Sequence, residues 1–226
     1  MLSMALAALF WIALHALIAG PLRASLVARL GERGFRGLFS LLSLGGLIWL
    51  IRAYRFADFM PLWGPLPGAE VIAIVLVVPA FVLLVFSIAP ASPTLVGGDS
   101  TATGELAATG IFRITRHPGL CSFALWAAAH LYANGDLASV LLFGAILVTA
   151  VNGMPSIDRK RHRAMGARWD AFEAQTSRIP FAAILAGRNE LRLGELSLWR
   201  LALGVILFLV ALFLHGTVLG VSPFGG

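Results

Sequence analysis

The sequence is poor in cysteine, lysine and charge. Its one cysteine is Cys121, so no disulfide can form within the chain. Its one lysine is Lys160, and every other basic residue is arginine. Charged residues make up 12% of the chain and hydrophobic residues 59%, whereas soluble domains average about 25% charged and about 45–50% apolar. These values exclude an ordinary soluble domain and predict an integral membrane protein.

The motifs of several soluble enzyme classes are also missing. The sequence has no Walker loop, no paired zinc-ligand motif, no serine elbow and no dinucleotide-binding fingerprint. The formal net charge is +6, but the arginines lie between apolar runs. We therefore expect the lipid bilayer as a partner and no nucleic acid. The sequence does not indicate an oligomeric state.

Six apolar runs are candidates for membrane spans, each of which needs roughly 20 residues as a helix. The turn Asn134-Gly135-Asp136 joins the fourth and fifth runs into a helical hairpin. We therefore predict an all-α integral membrane helical bundle with about six transmembrane helices, forming one domain over residues 1–226. The runs are residues 2–20, 37–51, 71–89, 119–133, 137–153 and 201–219.

The distribution of arginine sets the expected orientation. Arg52 and Arg55 follow the second run, and the remaining basic residues follow the first, third and fifth runs. The positive-inside rule then places both termini in the periplasm. The excess of arginine over lysine favours a multi-pass protein of a bacterial inner membrane.

Residues 156–192 form a basic segment on the expected cytoplasmic side. It contains an amphipathic pattern at roughly residues 158–176, with Met165, Trp169 and Phe172 on one face. This pattern predicts a cytoplasmic helix lying on the membrane surface. A docking role and a role as a catalytic lid both remain open.

Three histidines, His15, His130 and His215, lie inside apolar runs. An ionisable group in a membrane span usually faces the bundle interior and indicates a functional site. Several such imidazoles suggest nitrogen ligands or a proton relay. Structural roles remain open beside these: a core residue for His15, a cap of the hairpin turn for His130 and an interfacial residue for His215.

A set of motifs spread over nearly the whole chain resembles the NnrU family, to which plant ζ-carotene isomerase is related. These motifs are Thr115-Arg116-His117-Pro118, Leu125-Trp126, Ala129-His130-Leu131, Asn134-Gly135-Asp136, His15 with Pro21-Leu22-Arg23, His215-Gly216 and residues 166–184. The resemblance implies a haem b protein that acts as an isomerase or redox enzyme on a hydrophobic substrate such as a poly-cis carotene.

The resemblance also implies the site residues. His15 and His130 would be the axial iron ligands and the catalytic groups, with Trp126 beside the haem. Arg116 and His117 stand at a helix start that could hold an anion such as a propionate. The family's isomerase has a cysteine three residues before its second histidine; that position is Ala127 here, which puts a thiolate-exchange mechanism in doubt.

The depth of each histidine in its run favours a different pairing. At a rise of 1.5 Å per residue, His15 lies about 20 Å below the outer face and His130 about 6 Å below it. His215 has a depth similar to that of His130, so depth pairs His130 with His215 and His15 with His117. We take His15 and His130 as the first choice of ligands and His215 as the alternate.

Two other functions are kept as alternatives. Bacterial members of the NnrU family are associated with denitrification, which implies a haem-based accessory or sensor protein of nitric-oxide metabolism. A more distant resemblance to isoprenylcysteine methyltransferases implies an S-adenosylmethionine-dependent methyltransferase. Residues 154–159 lack the paired glutamates of those enzymes, which argues against methyl transfer.

Overall fold

The apolar runs form long helices that pack side by side between two ends of a bundle. The computed structural model describes residues 1–64, 66–88, 94 and 106–224, and every regular element within them is helical, which confirms the predicted all-α class. The helices are α1 (Leu2–Ala13, continued by a π-helix over Leu14–Ile18), α2 (Arg23–Arg55), α3 (Ala69–Ser87), α4 (Ile111–Ile114), α5 (Pro118–Ala133), α6 (Leu137–Met165), α7 (Ala167–Gln175), α8 (Ala182–Leu185) and α9 (Leu198–Leu219), with a 3₁₀ turn at Leu193–Glu195.

Four of these helices, α2, α3, α6 and α9, are long and apolar enough to cross a membrane. The apolar helix over Leu2–Ile18 is shorter, and α5 has 16 residues. Four helices of the described chain are therefore candidate membrane spans, and the number of about six stays a prediction.

The helices pack in a row, so that the two halves of the bundle are separated by α6. In one half, α1 packs on α2 and on α6; in the other, α6 packs on α5, α5 on α3, and α3 on α9. Buried side chains of α1, α2, α5 and α6 form the largest core, which includes Met4, Leu50 and Phe143. Since α9 packs mainly on α3, most of its large apolar side chains are exposed, as in a helix that faces lipid.

The predicted helical hairpin of α5 and α6 is present, and its turn defines one end of the bundle, called here the hairpin end. The Asp136 carboxylate caps α6 by accepting the Ser139 N–H at 3.0 Å. The Gly135 carbonyl accepts the N–H groups of Leu62 at 2.7 Å and Trp63 at 3.1 Å. A Cβ on Gly135 would lie 2.2 Å from the Trp63 carbonyl oxygen, so this close approach requires glycine. The opposite end, where Arg23 and Lys160 lie, is called the basic end.

Two helix boundaries differ from the sequence prediction. The helix that contains the second apolar run begins at Arg23, well before residue 37, and it is kinked at Gly31, whose φ of 70° and ψ of 165° are not helical. The single amphipathic helix predicted over residues 158–176 is wrong: α6 continues to Met165, and Gly166, with φ 54°, separates it from α7.

The apolar face of α7 is buried against the protein. Trp169 and Phe172 are 0% and 1% exposed and pack with Ala108 in a small core of their own. A surface helix with such a face would insert it into lipid. This segment is therefore packed on the protein, and both its docking role and its role as a catalytic lid stay predictions.

Candidate functional site

The three histidines of the apolar runs share one hydrogen-bonding pattern. Nδ1 of His15 bonds the Trp11 carbonyl at 2.9 Å, and Nδ1 of His130 bonds the Trp126 carbonyl at 2.8 Å. Nδ1 of His215 bonds the Val221 carbonyl at 2.7 Å. A carbonyl oxygen only accepts, so Nδ1 is the donor in each of these bonds, and in a neutral ring with that tautomer Nε2 is the nitrogen free to bind a metal. This is the arrangement found in metal-ligating histidines, whose other nitrogen donates to a carbonyl or carboxylate.

His130 and His215 line the same cavity, called here the histidine cleft. It lies between α3, α5 and α9 near the hairpin end and has a volume of about 580 Å³. Ligand pockets typically span about 300–1,000 Å³ and are mostly apolar with few polar groups. The walls of the cleft are mainly apolar or aromatic, and its other residues include Ile74, Val77, Phe81, Trp126, Phe208, Leu212, Glu70, Asn134 and Ser222.

Aromatic rings hold the imidazole of His130 in place. The Trp126 ring lies 4.5 Å from it, centroid to centroid, and the Phe143 ring stacks on it at 4.7 Å. Trp126 and Phe143 also meet each other edge to face at 5.1 Å. Since Phe143 belongs to the buried core, the imidazole of His130 is held by a side chain that has little room to move. His215 is fixed less firmly, because α9 packs mainly on α3.

His15 lies in a second cavity at the basic end, on the other side of α6. This basic cavity has a volume of about 610 Å³ and is lined by His15, Ala19, Arg23, Glu32, Phe35, Arg36, Phe39, Ser40, Ser43, Thr94, Ile157, Lys160, Arg161 and Ala164. His130 packs on Phe143 of α6, whereas His15 shares its cavity with Ile157 of the same helix. Between these two positions α6 rises by about 21 Å.

The structure therefore does not bring His15 and His130 to one site. It brings His130 together with His215, the pair that depth favours in the sequence, and Trp126 lies in the same cleft. The first-choice ligand pair stays a prediction, and this geometry favours the alternate pair.

Arg116 and His117, the expected anion-binding residues, lie in a buried ionic cluster at the basic end. Nη2 of Arg116 donates to Asp158 Oδ2 at 2.8 Å and to Glu173 Oε1 at 2.6 Å. Nε2 of His117 bonds Asp158 Oδ1 at 2.7 Å, and Arg178 also bonds Asp158. The cluster thus ties the start of α5 to α6, α7 and the segment after α7.

Two carboxylates already engage Arg116, so its guanidinium is committed to the fold. Burial lowers the pKa of His117, which is 1% exposed, although the Asp158 carboxylate opposes that shift. The sequence does not predict Asp158 and Glu173 as partners of these residues. A signal for Asp158 was present, since it is the lone acid directly before the basic stretch that contains Arg159, Lys160 and Arg161.

Cys121 lies in the core near this cluster and not in the histidine cleft. Its Sγ is 3.3 Å from Thr115 Oγ1 and donates to the Arg178 carbonyl at 3.2 Å. Within the described part of the chain, no group of three or more His, Cys, Asp and Glu side chains is arranged to hold a metal ion.

Comparison with known proteins gives a family match and two curated relatives. The family model described as "NnrU protein" matches residues 3–223. The 15-cis-zeta-carotene isomerase of Arabidopsis thaliana, a chloroplastic protein, is 34% identical over 172 residues, which is 72% of this chain and 45% of that protein. The enzyme of the same name from Zea mays, also chloroplastic, is 39% identical over 87 residues, or 37% of this chain and 23% of that protein.

The chain thus spans less than half of the length of the curated relatives it matches. No solved structure matches it.

Proposed function

The chain belongs to the NnrU family, and we propose that it is a membrane-embedded cis–trans isomerase that acts on an apolar polyene in the histidine cleft. Both curated relatives are named for an isomerase of 15-cis-ζ-carotene, and we extend to this chain the reaction class and a poly-cis carotene as the substrate class. The observation that carries the proposal is the cleft itself, an apolar cavity lined by two imidazoles.

The shape of the bundle supports an apolar substrate. α5 and α9 both pack on α3, and the cleft lies between them. A polyene dissolved in the bilayer would enter from the lipid side, along apolar walls that include Phe81 and Phe208. A polyene that comes from the bilayer carries no hydration shell, so its entry into the apolar cleft costs no desolvation.

We further propose haem b as the cofactor, with His130 and His215 as the residues that would hold it. Nδ1 of each ring bonds a backbone carbonyl, and no hydrogen-bond partner of either Nε2 lies within the described residues, so the two Nε2 atoms fit an iron with two nitrogen ligands. Haem iron, when bound, would supply a Lewis-acid or one-electron centre that reduces the double-bond order of the polyene.

The chain's own residues would position the reaction. Trp126 and Phe143 hold the His130 imidazole at a fixed angle, so His130 would be the permanent ligand. His215 stands on the less tightly packed α9 and would hold the group less firmly. The apolar walls exclude water from the reacting double bond.

For location, we propose a bacterial inner membrane, with the basic end in the cytoplasm and both termini in the periplasm. The support is the concentration of arginine at one end of the bundle, as the positive-inside rule requires.

The test is isomer conversion by the full-length protein in detergent or liposomes. The protein would be supplied with haem and a reductant and given 15-cis-ζ-carotene, with isomers separated by chromatography. We expect conversion by the wild type and at least a tenfold loss in His130→Ala. His162→Ala is the matched control, because His162 is 58% exposed and pairs with Asp170 on the surface.

The outcomes separate the parts of the proposal. Equal conversion by the wild type and a protein-free control would overturn the isomerase function. Conversion by a preparation that contains no haem would overturn the cofactor and leave the function standing. Unchanged conversion by His130→Ala would overturn the assignment of the histidine cleft.

A further inference from the structure

The short segment that follows α9, residues 220–223, is called here the strap. Val221, Ser222 and Pro223 of the strap line the histidine cleft, and the Val221 carbonyl accepts a hydrogen bond from Nδ1 of His215 at 2.7 Å. We propose that the strap positions the imidazole of His215 in the cleft. This role rests on the proposed function, because His215 matters there as a residue that would hold the cofactor.

The bond of His215 differs from those of the other two histidines in where its acceptor lies. Nδ1 of His15 and Nδ1 of His130 each bond the carbonyl four residues earlier, within the same continuous helix. Those acceptors are in place whenever the helix is formed. The acceptor of His215 lies six residues later, beyond Leu219, the last residue of α9. The orientation of His215 therefore depends on the strap, whose conformation the helix alone does not set.

Gly220 turns the chain back toward His215. Its φ of 76° and ψ of 10° are left-handed, and its N–H donates to the Gly216 carbonyl at 3.0 Å. Glycine commonly ends helices in this way, because it has no Cβ to clash in the left-handed region. After this turn the strap lines the cleft together with Glu70 and Asn134, where α3 begins and α5 ends.

The strap bond is the one hydrogen bond to the His215 ring within the described part of the chain. The ring of His130, in contrast, is also held between Trp126 and Phe143. The χ2 angle of histidine is broad and roughly two-fold, so a ring without a fixed partner samples more than one orientation. The Val221 carbonyl selects the orientation in which Nδ1 is the donor, and the neutral ring then presents Nε2 to a metal.

A carbonyl partner of this kind affects binding as well as orientation. A hydrogen bond at the second ring nitrogen fixes the tautomer and raises the basicity of the ligating nitrogen, and loss of such a partner typically costs about 10–100-fold in metal affinity. Because the acceptor is a backbone oxygen, no change of the Val221 side chain removes it. A test must therefore displace or delete the strap itself.

Two variants change the strap, and a third is the matched control. Gly220→Val places a β-branched residue at a positive φ, which such residues rarely adopt, and so displaces the strap. Deletion of residues 221–226 removes the acceptor outright. Gly216→Val introduces the same side chain one turn earlier on α9, where the backbone is helical and an added Cβ has no neighbouring atom within 4 Å.

The first measurement is nitrogen NMR of the haem-free protein in detergent, with labelled histidine and at a pH where imidazole is neutral. We expect the wild-type signals of His215, assigned by their loss in His215→Gln, to show a protonated Nδ1. They should move toward a mixture of tautomers in Gly220→Val and in the deletion, and stay unchanged in Gly216→Val. The signals of His15 and His130 should stay unchanged throughout, because their acceptors lie within helices.

The second measurement is the affinity for haem, from absorption titration of the same four proteins. We expect Gly220→Val and the deletion to bind haem at least tenfold more weakly than the wild type, as loss of a carbonyl partner predicts. Gly216→Val should bind haem as the wild type does.

Unchanged His215 signals in both Gly220→Val and the deletion would overturn the role of the strap, whether or not the protein isomerises a carotene. Equal changes in Gly216→Val would also overturn it, because any disturbance of α9 would then reorient the ring. Changed signals with an unchanged affinity for haem would overturn the contribution of the strap to cofactor binding. If the wild type neither binds haem nor converts carotene while the signals change as expected, the proposed function fails and the positioning of His215 stands.

Discussion

Gly204 of α9 lies directly against the backbone of Val82 in α3. A Cβ on Gly204 would be 2.8 Å from Val82 Cα and 3.1 Å from its backbone nitrogen. Small residues at such positions let two membrane helices approach closely. Because α9 packs mainly on α3, this contact sets how far His215 stands from His130 across the cleft.

We predict that Gly204→Ala lowers stability and distorts the histidine cleft. The added methyl group meets backbone atoms, which do not move aside as a flexible side chain does, so we expect a cost of about 1–3 kcal/mol and a fall in isomer conversion. Thermal unfolding in detergent measures the first effect, and carotene isomer analysis measures the second.

Gly216→Ala is the control on the same helix. A Cβ on Gly216 has no neighbouring atom within 4 Å, and alanine is favoured over glycine in a helix by up to about 1 kcal/mol. We expect a neutral or stabilising effect there. Equal behaviour of the two variants would show that the contact of α9 with α3 does not control the cleft.

The ion pair of Arg113 and Glu195, just before the start of α9, predicts that the stability of the fold depends on pH. Nε of Arg113 donates to Glu195 Oε2 at 2.8 Å, and the Gly110 N–H donates to the same oxygen at 2.7 Å. These bonds lower the pKa of Glu195 to about 2 from an ordinary value of 4.5. Because the pKa is lower in the folded state, the stabilisation is fully present above pH 4.5 and is lost as the pH falls through about 2.

We therefore expect the difference in melting temperature between the wild type and Glu195→Gln to shrink steadily below pH 4.5. Glu190→Gln serves as the control, because its carboxylate is 75% exposed and pairs with the exposed Arg192. A difference that stays constant down to pH 2.5 would contradict the assigned role of Glu195.

Asp158 is predicted to be essential to the fold of the basic end. Its side chain is 4% exposed and bonds Arg116, His117 and Arg178. Removing one partner of a buried ion pair leaves an uncompensated charge, which costs about 3–5 kcal/mol. We expect Asp158→Asn to lower the melting temperature by many degrees. Asp170→Asn, at a carboxylate that is 54% exposed, should have little effect.

The proposed orientation predicts which fusions to alkaline phosphatase are active. Alkaline phosphatase folds only outside the cytoplasm, so a fusion after residue 226 should be active, whereas a fusion within α7 should be inactive. The reverse pattern would place the basic end in the periplasm.

The sequence predicted where the helices lie better than it predicted their exact ends and their packing partners. Hydropathy located the apolar runs, and the turn at Asn134-Gly135-Asp136 identified the hairpin, because both signals are local. The start of α2 at Arg23 was missed, since the helical stretch before the kink at Gly31 carries several charged residues and has no long apolar run. The division at Gly166 was missed because periodicity alone does not reveal a single residue with positive φ.

The candidate site shows the same limit. Each histidine was identified from its apolar surroundings, and depth along a helix suggested His130 with His215. Which histidines share a cavity depends on the order of helices across the bundle, and α6 stands between the cavity of His15 and that of His130. The cluster around Asp158 was missed because its members are far apart in the sequence and meet only in the folded chain.

The most direct test of the account compares His15→Ala with His215→Ala. Both variants would be assayed for bound haem by pyridine haemochrome and for conversion of 15-cis-ζ-carotene, beside His130→Ala and His162→Ala. Because His130 and His215 share the histidine cleft, the alanine variants of both should lose bound haem, and their conversion rates should fall at least tenfold. His15→Ala and His162→Ala should keep the haem and the conversion rate of the wild type. Loss in His15→Ala together with full retention in His215→Ala would contradict the account and place the reaction between His15 and His130.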